Sequence, residues 1–136
     1  MATIQTSLPT TTPDDASIGS APVLDQLSDW NVLIPDRTDV VRYLTRFPGT
    51  ESVLPRMSAE ARRVFGADVE LSLEVYHDRE IVDEWLGLFV RKEIYPRGFL
   101  DQIDAINRKF DDELEQTTGY LQLATDYCRP RGMNAV

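Results

Sequence analysis

The sequence is poor in the residue types on which most catalytic chemistry depends. Its 136 residues hold one cysteine, Cys128, and one histidine, His77. A lone cysteine excludes an intrachain disulfide and any multi-cysteine zinc site, and it suits a reducing compartment. Cys128 itself reads as a small, semi-buried hydrophobe. GxGxxG, GxxxxGK(S/T), HExxH, GxSxG and CxxC are all missing, which removes the commonest dinucleotide, phosphate, zinc-protease, hydrolase and redox signatures. No stretch is apolar for the roughly 18 residues that a bilayer-crossing helix needs. The start, Met1 to Ser7, has neither a basic region nor an apolar core, so no signal peptide is expected there. Basic residues are also short: 14 Lys and Arg against 23 Asp and Glu give a net charge of −9 and a pI near 4.5. That balance argues against nucleic acid or an anionic membrane as partner.

What is present is ordinary for a folded domain, with 42% apolar and 27% charged residues. The charge is unevenly placed. Residues 1–35 carry Asp14, Asp15, Asp25 and Asp29 and no base, whereas residues 36–63 carry six arginines against four acids. Most of the negative charge therefore lies after residue 64. A solubilising surface explains this, and so does an acidic face that steers a basic partner.

Residues 1–22 are rich in Thr, Ser, Pro and Asp and have little apolar surface to offset ordering entropy, so a disordered tail is expected. Residues 23–35 form a short amphipathic arm: Val23, Leu24, Leu27 and Trp30 trace a helical stripe, followed by Val32-Leu33-Ile34 and Pro35. The arm packs on its own domain or engages a partner, as a helix in a groove or as an added strand. Residues 36–136 are expected to form one α+β domain.

Within that domain Asp36 and Thr38 are candidate caps for a helix whose face is Val40, Val41, Tyr43, Leu44 and Phe47, closed by Pro48-Gly49. A second helix spans about 52–65 and stops at Gly66. The period then drops to two over Val69–Tyr76, the mark of a half-buried strand. A charged loop, 77–84, leads to a run at 85–95 that is apolar on both faces. Phe99, Ile103, Ile106, Phe110 and Leu114 next define a long amphipathic helix. Its Asp111-Asp112-Glu113-Glu115 cluster opposes the helix dipole at the C-terminal end. A third strand covers about 120–127. The expected architecture is thus two helices, a β-hairpin, a long helix and a third strand. A right-handed crossover that places the third strand beside the first gives a three-stranded antiparallel sheet of order 2-1-3, with helices on one face. The other face, carrying Glu70, Ser72, Glu74, Tyr76, Gln122 and Asp126, reads as wet and acidic.

Three constellations bear on function. His77, Asp78 and Glu80 offer an imidazole and carboxylates suited to a hard or borderline cation, though the spacing fits no EF-hand and a solvated hairpin explains it equally well. Glu70 and Glu74 share a sheet face as an acid–base pair would, but such a pair needs burial that this face does not promise. The aromatic residues Trp85 and Phe89, with Leu24, Leu27 and Trp30 of the arm, are the candidate partner-binding set. No cofactor is implied.

Residues 40 to about 126 resemble a group of small uncharacterised prokaryotic α+β proteins. The shared pattern is Tyr43-Leu44-Thr45-Arg46-Phe47-Pro48, Phe65-Gly66, Leu71-Ser72-Leu73-Glu74-Val75 with Asp78, Leu88-Phe89-Val90 and Gly119-Tyr120-Leu121. The resemblance implies a fold and no activity; for small acidic proteins of this kind it also suggests the neutralising half of a two-gene pair. The expectation is a small cytoplasmic, non-catalytic interaction or regulatory protein with a protein partner or a homodimer. The rivals are a metal- or carboxylate-dependent enzyme built on residues 77–84 and an acidic mimic of nucleic acid.

Overall fold

A computed structural model describes residues 22–78, 80 and 83–130. The expected tail at 1–22 lies almost wholly outside them. The chain is α+β, with four helices and a four-stranded mixed sheet among the described residues. Helix α1 covers 22–29, strand β1 Val32–Leu33, helix α2 Arg37–Arg46 and helix α3 Val53–Phe65. The hairpin strands are β2, Glu70–Asp78, and β3, Asp83–Arg91; helix α4 is Phe99–Glu115 and strand β4 Leu121–Ala124. No described helix is long and apolar enough to cross a membrane.

Local chemistry accounts for the helix boundaries. Asp36 caps α2 by accepting the Asp39 N–H at 3.0 Å. Gly66, at φ 98°, ends α3 in a conformation that a side chain would strain. Along α4, Phe99, Ile103, Ile106, Phe110 and Leu114 are all buried, as their spacing requires. They meet Leu71, Leu73, Leu86, Leu88, Val90, Leu121 and Leu123 of the sheet in one core.

The sheet differs from the expected order. Its sequence is β1-β2-β3-β4, with β1 parallel to β2, β2 antiparallel to β3, and β3 parallel to β4. The α4 crossover sets β4 parallel to and directly beside the strand it left. The edge of β2 that an order of 2-1-3 would give to the last strand is taken by Val32–Leu33 from the arm. The arm therefore belongs to the domain: Leu24 and Leu27 have no exposed surface and Val32 only 3%.

Two further expectations are corrected. Both ends of the 77–84 stretch are strand rather than loop, since His77 pairs with Glu84 and Asp78 with Asp83 across the hairpin. Cys128 is exposed, because it lies beyond β4 and outside the core.

Candidate functional site

Alternation along β2 and β3 sends Leu71, Leu73, Leu86, Leu88 and Val90 into the helical layer. It sends Glu70, Ser72, Glu74 and Tyr76, with their register partners Arg91, Phe89, Gly87 and Trp85, to the opposite face. On β4, Gln122 and Ala124 join that face. The face divides into two halves of different chemistry.

The first half is a buried ion cluster. The Arg91 side chain is 1% exposed and reaches Glu70 at 3.3 Å, Glu74 at 3.0 Å and Asp126 at 2.9 Å. Ser72 Oγ donates to Glu74 at 2.7 Å. Burial opposes the guanidinium charge, but the bonds to Asp126 and Glu74 outweigh it and hold Arg91 more firmly protonated than usual. Burial likewise pushes the Asp126 carboxyl up, but the hydrogen bonds it accepts from Arg91 and from the Cys128 N–H reverse this and leave it below the usual range. The cover is the segment 125–130. Asp126 clamps it to Arg91, the Tyr95 hydroxyl holds the Cys128 carbonyl, and Pro130 shares a groove with Leu33 and Glu70. The expectation of an open acidic face fails here: Glu70 is 8% exposed and Ser72 has no exposed surface. Arg91 was not singled out in the sequence, because it terminates an apolar run and its partners come from β2 and from the distant segment after β4. Glu70 and Glu74 share one guanidinium, an arrangement that holds charge and does not pass a proton.

The second half is aromatic and open. Tyr76 and Trp85 rings lie 5.2 Å apart, Trp85 and Phe89 5.9 Å, and Trp85 and Tyr120 6.5 Å. Gly87 makes this possible. A Cβ there would stand 2.7 Å from Phe89 Cε2 and 2.8 Å from Trp85 Cζ3, so only glycine lets the two rings close over the strand. Tyr120 is fixed from behind by the buried Tyr43 hydroxyl, which accepts its N–H at 2.8 Å and donates to its carbonyl at 3.1 Å. Burial pushes the Tyr43 phenol up, so that it keeps this donor proton. Tyr76 and Tyr120 remain 46% and 55% exposed while Trp85 and Phe89 are half-buried. The two halves touch where the Arg91 guanidinium lies 5.5 Å from the Phe89 ring centre.

Of the candidate partner-binding residues, Trp85 and Phe89 lie together at the centre of this face. Leu24 and Leu27 are in the core, and so are spent within the fold. Trp30 is 39% exposed at the end of α1, where Arg62 binds its carbonyl, apart from the aromatic group.

Of the metal candidates, His77 is engaged by carboxylates from other elements. The His77 Nε2 lies 2.8 Å from Asp39 on α2 and its Nδ1 2.8 Å from Glu84 on β3, with Arg42 and Arg46 beside the same carboxylates. Glu80 lies in the turn, and the Asp78 side chain is outside the described residues. Among the described residues no group of three or more His, Cys, Asp or Glu is placed to hold a metal.

Comparison with family models, with curated proteins and with solved structures gave no match.

Proposed function

We propose that this chain is a non-catalytic protein-binding module that docks its partner on the aromatic half of the sheet face. The observation that carries this reading is the Tyr76–Trp85–Phe89–Tyr120 group, four large rings on one side of a sheet whose described helices pack against the other side. Large exposed rings mark interfaces, because their apolar bodies gain from burial while Tyr and Trp keep a polar tip for a bond. Tyr43 fixes the Tyr120 backbone, and Gly87 seats Trp85 against Phe89, so these two rings lose little side-chain entropy on docking.

Strand addition is the poorer mode for this sheet. The β1 edge is two residues long and ends before Pro35. On the β4 edge the Asn107 amide pairs both ways with Leu123, accepting its N–H at 2.9 Å and donating to its carbonyl at 2.9 Å.

A photo-crosslinking amino acid at position 76 tests the reading in the source cell. It should yield a discrete adduct that disappears when Trp85→Leu is added, while the same probe at Leu100, exposed on α4, yields none. Only uncrosslinked chain from position 76, or identical products from both positions, would remove the proposal.

A further inference from the structure

Among the described residues, the aromatic half of the face is bordered by more carboxylates than bases, and this charge specifies the occupant. Glu74 and Asp126 keep 27% and 32% of their side-chain surface exposed beside Phe89, although both bind the one buried guanidinium of Arg91. At the other margin the face continues past Tyr120 and Gln122 into a groove of about 680 Å³, whose α4 wall carries Asp104, Asp111 and Glu115 against Arg108. Aromatic rings therefore lie between two acidic borders. The acids of the α4 wall also answer a question of sequence: Asp111 and Glu115 stand near the helix C-terminus, where the dipole disfavours them. Their placement is unfavourable for the helix and suits a cation in the groove.

The chain's own Arg91 displays how this surface receives a guanidinium, which lies over the Phe89 ring and is shared among carboxylates. A planar guanidinium stacks on rings and forks to carboxylates, whereas an ammonium does so less well. A second copy of the chain would bring the same surplus of carboxylates against itself.

We infer that the partner presents an arginine-bearing basic segment, laid across Tyr76, Trp85 and Phe89 and continued over the β4 edge into the α4 groove. This rests on the reading of the sheet face as a docking surface, and it adds the chemistry of what docks.

The test uses the full chain with three labelled synthetic peptides of equal length, identical but for arginine, lysine or glutamate at alternate positions, and reads anisotropy at two salt concentrations. The arginine peptide should bind most tightly, the lysine peptide more weakly and the glutamate peptide not at all, with affinity falling as salt rises. Trp85→Leu should weaken the arginine peptide about fivefold, the scale of one cation–π contact. Asp111→Asn with Glu115→Gln, both exposed, should weaken it severalfold with no fall in melting temperature, which separates lost recognition from lost folding. Equal binding of all three peptides, no binding of the arginine peptide, or affinities unmoved by both variants would overturn the inference. Sedimentation of the wild type decides what falls with it. Self-association abolished by Trp85→Leu, without arginine-peptide binding, keeps the docking face and makes its occupant a second copy. A strict monomer with neither peptide binding nor a crosslink at position 76 removes both.

Discussion

The Arg91 guanidinium holds three carboxylates together, so its loss leaves charge of one sign crowded under the 125–130 segment. Arg91→Met keeps much of the volume but removes the guanidinium that Glu70, Glu74 and Asp126 share. Breaking a buried ion group from one side costs about 3–5 kcal/mol, and equilibrium urea unfolding should show a loss of that size. Glu70→Gln should cost less, since Arg91 retains two partners; equal losses would contradict the shared-cation description. His77 supplies a second residue-level prediction, with a pH sign. Its bond to Asp39 is the largest influence and, with Glu84, outweighs burial and the nearby Arg42, so the imidazole titrates above its ordinary 6.5. A raised folded value means that the stabilisation is complete below pH 6.5 and is lost as pH rises through that higher value. The site is half-exposed, so the effect should stay under about 1 kcal/mol. Melting temperature should fall on going from pH 6 to pH 9 in the wild type, and His77→Gln should flatten that fall; parallel pH profiles would refute it. Little of this was legible in the sequence. His77 stands out by being unique, but its partners come from α2 and the facing strand, and only the fold brings them together.

The elements were more legible, because periodicity is a local property. The stripe of α4 and the alternation of β2 follow directly from which side chains must leave water. Sheet order was not legible, since it depends on which strand edge the arm occupies, and a two-residue strand leaves no periodic trace. Misplacing β4 also hid the contact between β4 and α4 through Asn107. That residue reads in the sequence as one more polar position on a helix, yet it satisfies both backbone groups of Leu123 on the outer edge. Asn107→Ala should therefore act in two ways. Leaving a half-buried N–H and C=O without their partner costs about 1–3 kcal/mol in chemical denaturation. The freed edge becomes a template for pairing with another chain, so light scattering on heating should begin at a lower temperature. Asn107→Asp, which still accepts the Leu123 N–H but cannot donate to its carbonyl, should fall between the two. A variant as stable and as monodisperse as the wild type would show that the edge is protected by other means.

For the whole molecule, the uneven charge of the sequence takes on a spatial meaning. The arginines of the α2–α3 half pair with the chain's own acids at its surface: Arg42 with Asp39, Arg46 with Glu84, Arg56 with Glu113, and Arg63 with Glu60, which Lys109 also contacts. Between these two cations Glu60 is held down to about 2. Arg62 turns its guanidinium to backbone instead, reaching the carbonyls of Trp30, Asn31, Ala67 and Val69, and so ties the arm to the loop before β2. With these bases engaged, the described residues of α4 and of the sheet face carry more acids than bases. The arm that Arg62 fastens is the part whose role the sequence left open, because its apolar stripe serves equally well to fill a core or to engage a partner. Its burial decides between these. Truncation to residues 36–136 would remove Leu24, Leu27 and Val32, which are 0%, 0% and 3% exposed, together with β1. At about 1.5–3 kcal/mol for each buried side chain the loss is roughly 5–9 kcal/mol, as large as the whole stability of many domains. The truncated chain should lose its cooperative thermal transition, and Leu24→Ala alone should cost about 2–5 kcal/mol. Retention of a sharp transition within about 1 kcal/mol of the full chain would mean that the arm is peripheral, and would return Leu24 and Leu27 to the surface offered to a partner.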